Sequence, residues 1–249
     1  MNIVLYQSAS SLSALERWQD SVSQNIASSQ MTGYRKRTIN FSTQAAGELQ
    51  NDPKGRVGDG SGQEMLFPKV NTGINFVTGE TQPTRRPLDV AIQGDGFFEV
   101  QAPDGTKSYT RNGEFRLSSD RTLVDSTGAH VMSESGTPIT LGSDEGDLVI
   151  NQDGTIFQGG TSLGKLSVVK FADNNQLAPV AGGAFVPTGG MTATQVEKPE
   201  LLQGYLEGSN VTPLREMVDM VLISRAYEAN QKMITTVDEQ MQKALDALG

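Results

Sequence analysis

The chain has 249 residues, of which 36% are hydrophobic and 20% are charged, and its 29 acidic and 20 basic side chains give a formal net charge of −9. Because the sequence contains no cysteine and only one histidine, His130, disulfides, thiolate metal sites, cysteine nucleophiles and two-histidine metal sites are excluded. The acidic balance disfavours a sequence-independent grip on phosphate backbones, so we expect no nucleic-acid partner.

Apolar residues near the start of the chain recur with the a/d spacing of a coiled-coil seam. The residues of this N-terminal seam, separated by steps of 7, 3, 7 and 4, are Leu5, Leu12, Leu15, Val22 and Ile26. Their spacing predicts a helix over residues 3–30, within an N-terminal segment 1–41. This start lacks the basic first region and the compact apolar stretch of a cleavable secretory signal. No run of the sequence reaches the roughly 18 apolar residues that are typical of a membrane-spanning helix.

Residues 42–83 combine scattered glycines with polar residues and few apolar anchors. Loops of this length in a compact protein are usually functional or disordered. We therefore predict a long loop or extended arm over residues 42–83, which a partner would order.

Between residues 84 and 200 the hydrophobic period changes from 3.6 to 2. Short β-rich runs recur at spacings of about 8–12 residues, and Asp-Gly and Asn-Gly pairs that favour tight turns separate them. The strands predicted here are Leu88–Gln93, Phe97–Gln101, Ser108–Arg111, Glu114–Leu117, Thr122–Val124, His130–Met132, Ile139–Leu141, Leu148–Ile150, Thr155–Phe157 and Leu166–Phe171. The strongest hairpin prediction runs from Tyr109 to Phe115 around Asn112-Gly113. The pattern predicts an antiparallel β domain, either a sandwich or a partly closed barrel.

A second and longer apolar series occupies the end of the chain. The residues of this C-terminal seam, at alternating steps of 3 and 4, are Met220, Ile223, Tyr227, Asn230, Ile234, Val237, Met241, Ala244 and Leu248. They predict a helix that begins at Pro213 behind a Thr212 cap and ends near residue 248, within a C-terminal segment 201–249. Five apolar residues widen the stripe in the first turns and indicate packing on more than one neighbour: Leu214, Met217, Val218, Val221 and Leu222.

An isolated amphipathic helix is only marginally stable in water, so each seam requires a partner. The spacing alone leaves two interpretations open. The two helices either pack on their own domain or serve assembly with other subunits.

Residues that could support catalysis are few. A Ser-His-Asp arrangement around His130 lacks the Gly-x-Ser-x-Gly turn that holds a nucleophile. Asp95 and Glu99 are the better candidate, as a carboxylate pair for glycoside hydrolysis. The pair defines an alternative function, a carbohydrate-binding or carbohydrate-active β protein with helical oligomerisation ends. The acidic turns over residues 144–147 and 151–154 do not match a calcium loop, and we expect no metal or cofactor.

Three segments resemble signature motifs of the bacterial flagellar rod, hook and hook-associated axial proteins. The first runs from Ser23 to Lys36, has Ser28 where asparagine is usual, and matches the motif at Asn25, Ile26, Ala27, Thr32, Gly33 and Tyr34. The second covers residues 86–98 and 109–115. The third covers residues 204–211, with residues 225–230 downstream, and includes Gly208, Ser209, Asn210 and Val211. On this resemblance the chain is identified as a member of the flagellar basal-body rod family, most similar to the proximal rod proteins and next to the distal ones.

The resemblance implies a mainly β central domain outside a layer in which the two terminal helices pair as a coiled coil, an α+β fold overall. It further implies a structural subunit without catalytic activity, cofactor or small-molecule substrate, which assembles helically through its terminal helices to transmit torque for motility. The implied partners are further copies of the chain, neighbouring rod proteins and the flagellar type III export apparatus. The implied location is the periplasm-spanning rod, reached without a cleaved signal peptide.

Overall fold

A computed structural model describes residues 3–49, 63–142 and 146–247, and these residues form two compact units. Unit 1 draws its described residues from 1–27, 37–73 and 212–249. Unit 2 consists of 28–36 and the described part of 74–211. The backbone therefore passes between the two units four times along the chain.

Unit 1 contains both predicted helices. Helix α1 covers Ile3–Ala27 and α2 covers Pro213–Asp246, so the predicted helices over residues 3–30 and 213–248 are confirmed to within three residues at their ends. The Thr212 carbonyl accepts hydrogen bonds from the Arg215 and Glu216 amides, which begins α2 where the Thr-Pro pair predicts. Among the described residues, neither helix is long and apolar enough to cross a membrane.

The structure differs from the predicted loop over residues 42–83. Strand β1 covers Arg37–Leu49, strand β2 covers Gln63–Ile74, and the two strands form a two-stranded sheet. Residues 50–62 of the predicted loop lie outside the described residues. The scattered glycines favoured a loop, whereas the alternation that begins with Ile39 and Phe41 in β1 is the period of a strand.

Unit 2 is an antiparallel β unit, and it is wider than the predicted domain 84–200. Its strands are β3 Thr81–Pro83, β4 Val90–Gln93, β5 Phe97–Gln101, β6 Lys107–Thr110, β7 Arg116–Leu117, β8 Leu123–Val124, β9 His130–Val131, β10 Leu148–Ile150, β11 Thr155–Gln158, β12 Thr161–Lys165, β13 Val168–Lys170, β14 Leu177–Pro179, β15 Ala184–Pro187, β16 Thr194–Gln195, β17 Glu200–Gln203 and β18 Tyr205–Glu207. The largest sheet has the order β14-β15-β6-β5-β9-β8-β7, and β13 pairs with both β5 and β16. Smaller sheets pair β10-β11-β12, β17 with β4, and β18 with β3. Strands β17 and β18 reach into the predicted C-terminal segment 201–249.

Two apolar clusters form the interior of unit 2. The larger contains Val90, Ile92, Phe98, Val100, Phe115, Leu123, Ala129, Val131, Ile139, Leu141, Ile150, Ile156, Leu166, Val168 and Leu201. The smaller is mostly aromatic and contains Phe97, Tyr109, Val169, Phe171, Leu177 and Phe185. Adjacent residues Phe97 and Phe98 enter different clusters, because successive side chains of a strand point to opposite faces of the sheet.

The predicted hairpin from Tyr109 to Phe115 is wrong. Strand β6 pairs with β5 and β15, while Glu114 forms an isolated bridge with Asp89. Gly113 does not adopt a positive φ; instead a Cβ there would collide with the Val90 carbonyl oxygen. The glycine permits a close backbone approach, not a tight turn.

Candidate assembly seam and motif junction

The two helices of unit 1 pack against each other in antiparallel directions. Asn25 near the end of α1 bonds Glu216 near the start of α2, and Ser8 near the start of α1 lies 4.0 Å from the Met233 sulfur. As the residue number rises by 17 along α2, it falls by 17 along α1, so one register holds between the two contacts. The two helices thus share one antiparallel register, while coiled-coil geometry stays a prediction.

The predicted seam residues differ in burial. Those that belong to the helix–helix cluster, fully or partly buried, are Leu15, Val22, Ile26, Met220, Ile223 and Tyr227. Other seam residues are half-buried, namely Leu12, Asn230, Ile234 and Val237, and Met241 is 40% exposed. The side chains of Leu5, Ala244 and Leu248 lie outside the described residues. The seam is tightest near Ile223, which is 1% exposed.

Trp18 and Ser8 of α1 also lie at the helix pair, although the predicted N-terminal seam omits them. Trp18 packs on the buried cluster, and its ring meets Phe41 of β1 edge-on at 5.6 Å between ring centroids. Ser8, which interrupts the predicted seam, is buried. Trp18 follows Leu15 by three residues and precedes Val22 by four, so the a/d spacing contained the signal for Trp18.

A second apolar stripe of α2 is exposed. Its members are Leu214, Met217, Val218, Val221 and Leu222, each between 49% and 74% exposed. Their spacing of i, i+3, i+4, i+7 and i+8 puts them on one face, and at 3.6 residues per turn that face lies opposite Ile223. We call these five residues the outer stripe. They are the residues for which the sequence predicts an additional neighbour.

Asn25 of the first motif ties together three segments of unit 1. Its side-chain amide donates to the Arg37 carbonyl and to Glu216 Oε2, both at 2.9 Å, and its Oδ1 accepts from the Arg37 amide at 2.8 Å. Asn25 is 1% exposed, so these bonds satisfy a polar group that is removed from water. Ala27 ends α1 and is exposed.

The rest of the first motif lies in unit 2. Thr32 Oγ1 donates to Asn112 Oδ1 at 2.6 Å, and Tyr34 is buried. Gly33 has φ +70°, and an ideal Cβ built there would lie only 2.5 Å from the Arg111 carbonyl carbon. Both the backbone conformation and the lack of space therefore require glycine at this position.

A buried ion cluster lies beside Gly33. Glu207 Oε1 is 2.6 Å from Arg35 Nη1, and Glu207 Oε2 is 2.8 Å from Arg111 Nε. All three side chains are 2% exposed. The Glu207 carbonyl accepts from the Gly33 amide, and Oε1 also accepts from the Gly79 amide. One glutamate thus holds two guanidinium groups and two backbone amides.

The pKa of Arg111 reflects the electrostatics of this cluster. Burial lowers the pKa of Arg111 from its ordinary value, the Glu207 charge opposes that lowering, and the neighbouring Arg35 charge adds to it. The Arg111 guanidinium also donates to the Gly94 and Gly96 carbonyls, each at 2.8 Å. The cluster therefore depends on Glu207 as the counter-charge of two cations.

The third motif adjoins this cluster in unit 2. The Gly208 amide donates to the Glu80 carbonyl, and Ser209 Oγ accepts from the amide of buried Val211. Asn210 Oδ1 accepts from the Lys36 amide at 2.6 Å. The structure thus brings residues 32–36 of the first motif together with residues 207–211 of the third.

We expect Gly33→Ala to destabilise unit 2 by about 2–4 kcal/mol, because a Cβ adds a backbone collision to the cost of a left-handed residue. The matched control is Gly105→Ala, where φ is +86° and no atom lies within 4 Å of the added Cβ. It should cost about 1 kcal/mol. Urea unfolding of both variants measures the difference, and equal costs would show that the collision is relieved by movement.

The three candidate catalytic residues lie in different environments. Glu99 is buried, 2.7 Å from Lys107 Nζ, and accepts from Ser167 Oγ at 2.8 Å. Asp95 is exposed, and His130 is half-buried in β9. Glu99 therefore serves an ion pair between neighbouring strands.

Comparison with known proteins gives matches along the chain. A family model described as the flagellar hook protein FlgE/F/G D1 domain matches residues 91–158, and one described as the flagellar basal body rod FlgEFG protein C-terminal region matches residues 202–247. The first match lies in unit 2. The second begins in β17 and contains α2.

Three relatives are similar over nearly their whole length. A flagellar basal-body rod protein FlgF of Caulobacter vibrioides is 31% identical, covering 100% of this chain and 99% of the relative. A flagellar basal-body rod protein FlgG of Buchnera aphidicola is 32% identical, covering 96% and 97%. A FlgF of Rhizobium meliloti is 30% identical, covering 100% and 99%. None of these relatives supports the carbohydrate alternative.

Proposed function

The chain belongs to the family of flagellar basal-body rod proteins and is a structural subunit of the rod, and we propose that it assembles there helically through its terminal helices to transmit torque. Its place is the flagellar basal body, and its partners are other rod components. The observation that carries the assembly proposal is the outer stripe of α2.

The outer stripe supports the assembly proposal because it stays exposed after the seam of α2 has packed against α1. The seam of α2 already packs on α1 within one chain. Five large apolar side chains on the opposite face remain in water, and such a continuous patch is typical of a protein interface. If the stripe meets a different surface of the next subunit, the contact is heterologous, and it generates a helical filament when the rotation between subunits does not close into a ring.

The remaining parts of the proposal rest on the family. The subunit is exported through the flagellar type III apparatus without a cleaved signal, and it functions without a catalytic residue, cofactor or small-molecule substrate. Relatives named FlgF and FlgG both match along the chain. The amino-acid sequences of the motifs favour the proximal position in the rod.

Val221→Asp tests the outer stripe. Because Val221 is 52% exposed, the purified variant should keep its helical content and its free energy of unfolding within about 0.5 kcal/mol. A carboxylate in the interface should nevertheless prevent incorporation into basal bodies and abolish swimming. Electron microscopy of purified basal bodies and swimming assays measure these outcomes.

The control is Gln231→Asp, which places the same charge on an exposed polar position of α2 and should leave assembly intact. Normal rods with Val221→Asp would show that the outer stripe is not an assembly surface.

A further inference from the structure

The four passages of the backbone between the units lie at residues 27/28, 36/37, 73/74 and 211/212. Each unit is therefore built from segments that enter and leave it at separate points of the sequence. The contacts between these segments inside each unit determine whether a force on one segment is shared by the others.

Within unit 2, Asn210 joins three such segments. Asn210 itself lies beside the passage at 211/212, and its Oδ1 accepts from the amide of Lys36, the last residue before 36/37. Its side-chain amide donates to the Asn75 and Val77 carbonyls just after 73/74, each at 2.8 Å. The Asn75 amide in turn donates to the Lys36 carbonyl at 2.8 Å.

Within unit 1, Asn25 likewise joins segments that lie beside the passages. It lies just before 27/28, bonds both backbone groups of Arg37, the first residue after 36/37, and donates to Glu216 just after 211/212. Each asparagine thus lies beside one passage and bonds segments beside two others.

We propose that Asn25 and Asn210 are positioning residues that fasten the passing segments together, one inside each unit. The mechanical consequence, that a load is shared among the segments, rests on the proposed torque-transmitting function. The fastening of the segments does not depend on that function, and experiments on the monomer test it separately.

Asparagine is suited to this role because its side chain offers one acceptor and two donor hydrogens in a fixed plane. Asn210 uses all of them on backbone groups. Aspartate retains the acceptor and loses both donors, whereas alanine loses every bond.

Hydrogen exchange of the full-length monomer tests the fastening. Asn210→Ala should speed exchange of the Lys36 and Asn75 amides by about tenfold or more, while the Met132 amide, which donates to the Glu99 carbonyl, stays protected. Asn210→Asp should speed exchange of the Asn75 amide, because the segment after 73/74 loses the bonds to its Asn75 and Val77 carbonyls. Exchange of the Lys36 amide should stay slow, because its acceptor remains. Asn25→Ala should speed the Arg37 amide in the same way, and Asn25→Ser replaces it if the alanine variant does not fold.

The controls are Asn151→Asp, at an exposed turn of unit 2, and Gln231→Asp, at an exposed position of α2. Neither should change exchange at Lys36, Asn75 or Arg37. Unchanged exchange in the Asn210 and Asn25 variants would overturn the proposal, as would a uniform loss of protection across the sheet in every folded variant.

Swimming in media of increasing viscosity tests whether the segments share a mechanical load. Asn210→Asp cells should swim normally in thin medium and lose speed faster than control cells as viscosity rises. Altered exchange with unchanged swimming under load would overturn the mechanical consequence while the fastening stands.

Discussion

Replacing Ile223 with aspartate is expected to separate α1 from α2 and to abolish motility. Ile223 is 1% exposed at the centre of the helix pair, so the substitution removes its apolar contacts and places a carboxylate where it has no partner. The cost should be at least about 4 kcal/mol. An unpaired helix is marginal in water, so α1 should lose its structure.

Circular dichroism of the purified chain should show the loss of helix, and limited proteolysis should cleave within α1 first. Gln231→Asp is the control and should change neither. The same aspartate at half-buried Ile234 should cost less than at Ile223. A folded helix pair in Ile223→Asp would show that the cluster can rearrange around a charge.

Replacing Glu207 with glutamine should destabilise unit 2 by about 3–5 kcal/mol. The side chain keeps its size, but Arg35 and Arg111 remain buried without the negative charge of Glu207. In a chain of this size the loss corresponds to a fall of roughly 10 °C in melting temperature.

Differential scanning calorimetry measures this fall. Glu200→Gln, at an exposed position of β17, should change the melting temperature little. Arg35→Met combined with Glu207→Gln removes one of the two cations and should recover part of the loss. An unchanged melting temperature in Glu207→Gln would show that the carboxylate is not the counter-charge that holds the cluster.

The helices were predictable because their signal is long and local. Seam residues repeat over many turns, and Pro213 marks the start of α2, so the observed ends differ by at most three residues from prediction. Strands with clear alternation or short apolar runs, such as Phe97–Gln101 and Leu148–Ile150, were predicted with their observed bounds.

The errors arise where a distant neighbour decides the local structure. Gly113 follows an asparagine, as is typical of a tight turn, yet its small size serves the carbonyl of Val90, which is remote in sequence. Glu207 lies within a recognised motif, but its burial depends on Arg111, which is 96 residues away. No periodicity reports such pairings, so neither the ion cluster nor the asparagine contacts could be predicted from the sequence.

The antiparallel pairing of α1 and α2 also determines when during synthesis the helix pair can form. Ser8 and Met233 are 225 residues apart, so α1 is synthesised long before its partner helix exists. Closing so long a loop is slow, and until then α1 is a marginal helix. A chain cut short before residue 213 can contain every strand of unit 2 and still has no helix pair. The pair therefore distinguishes a finished subunit from an unfinished one.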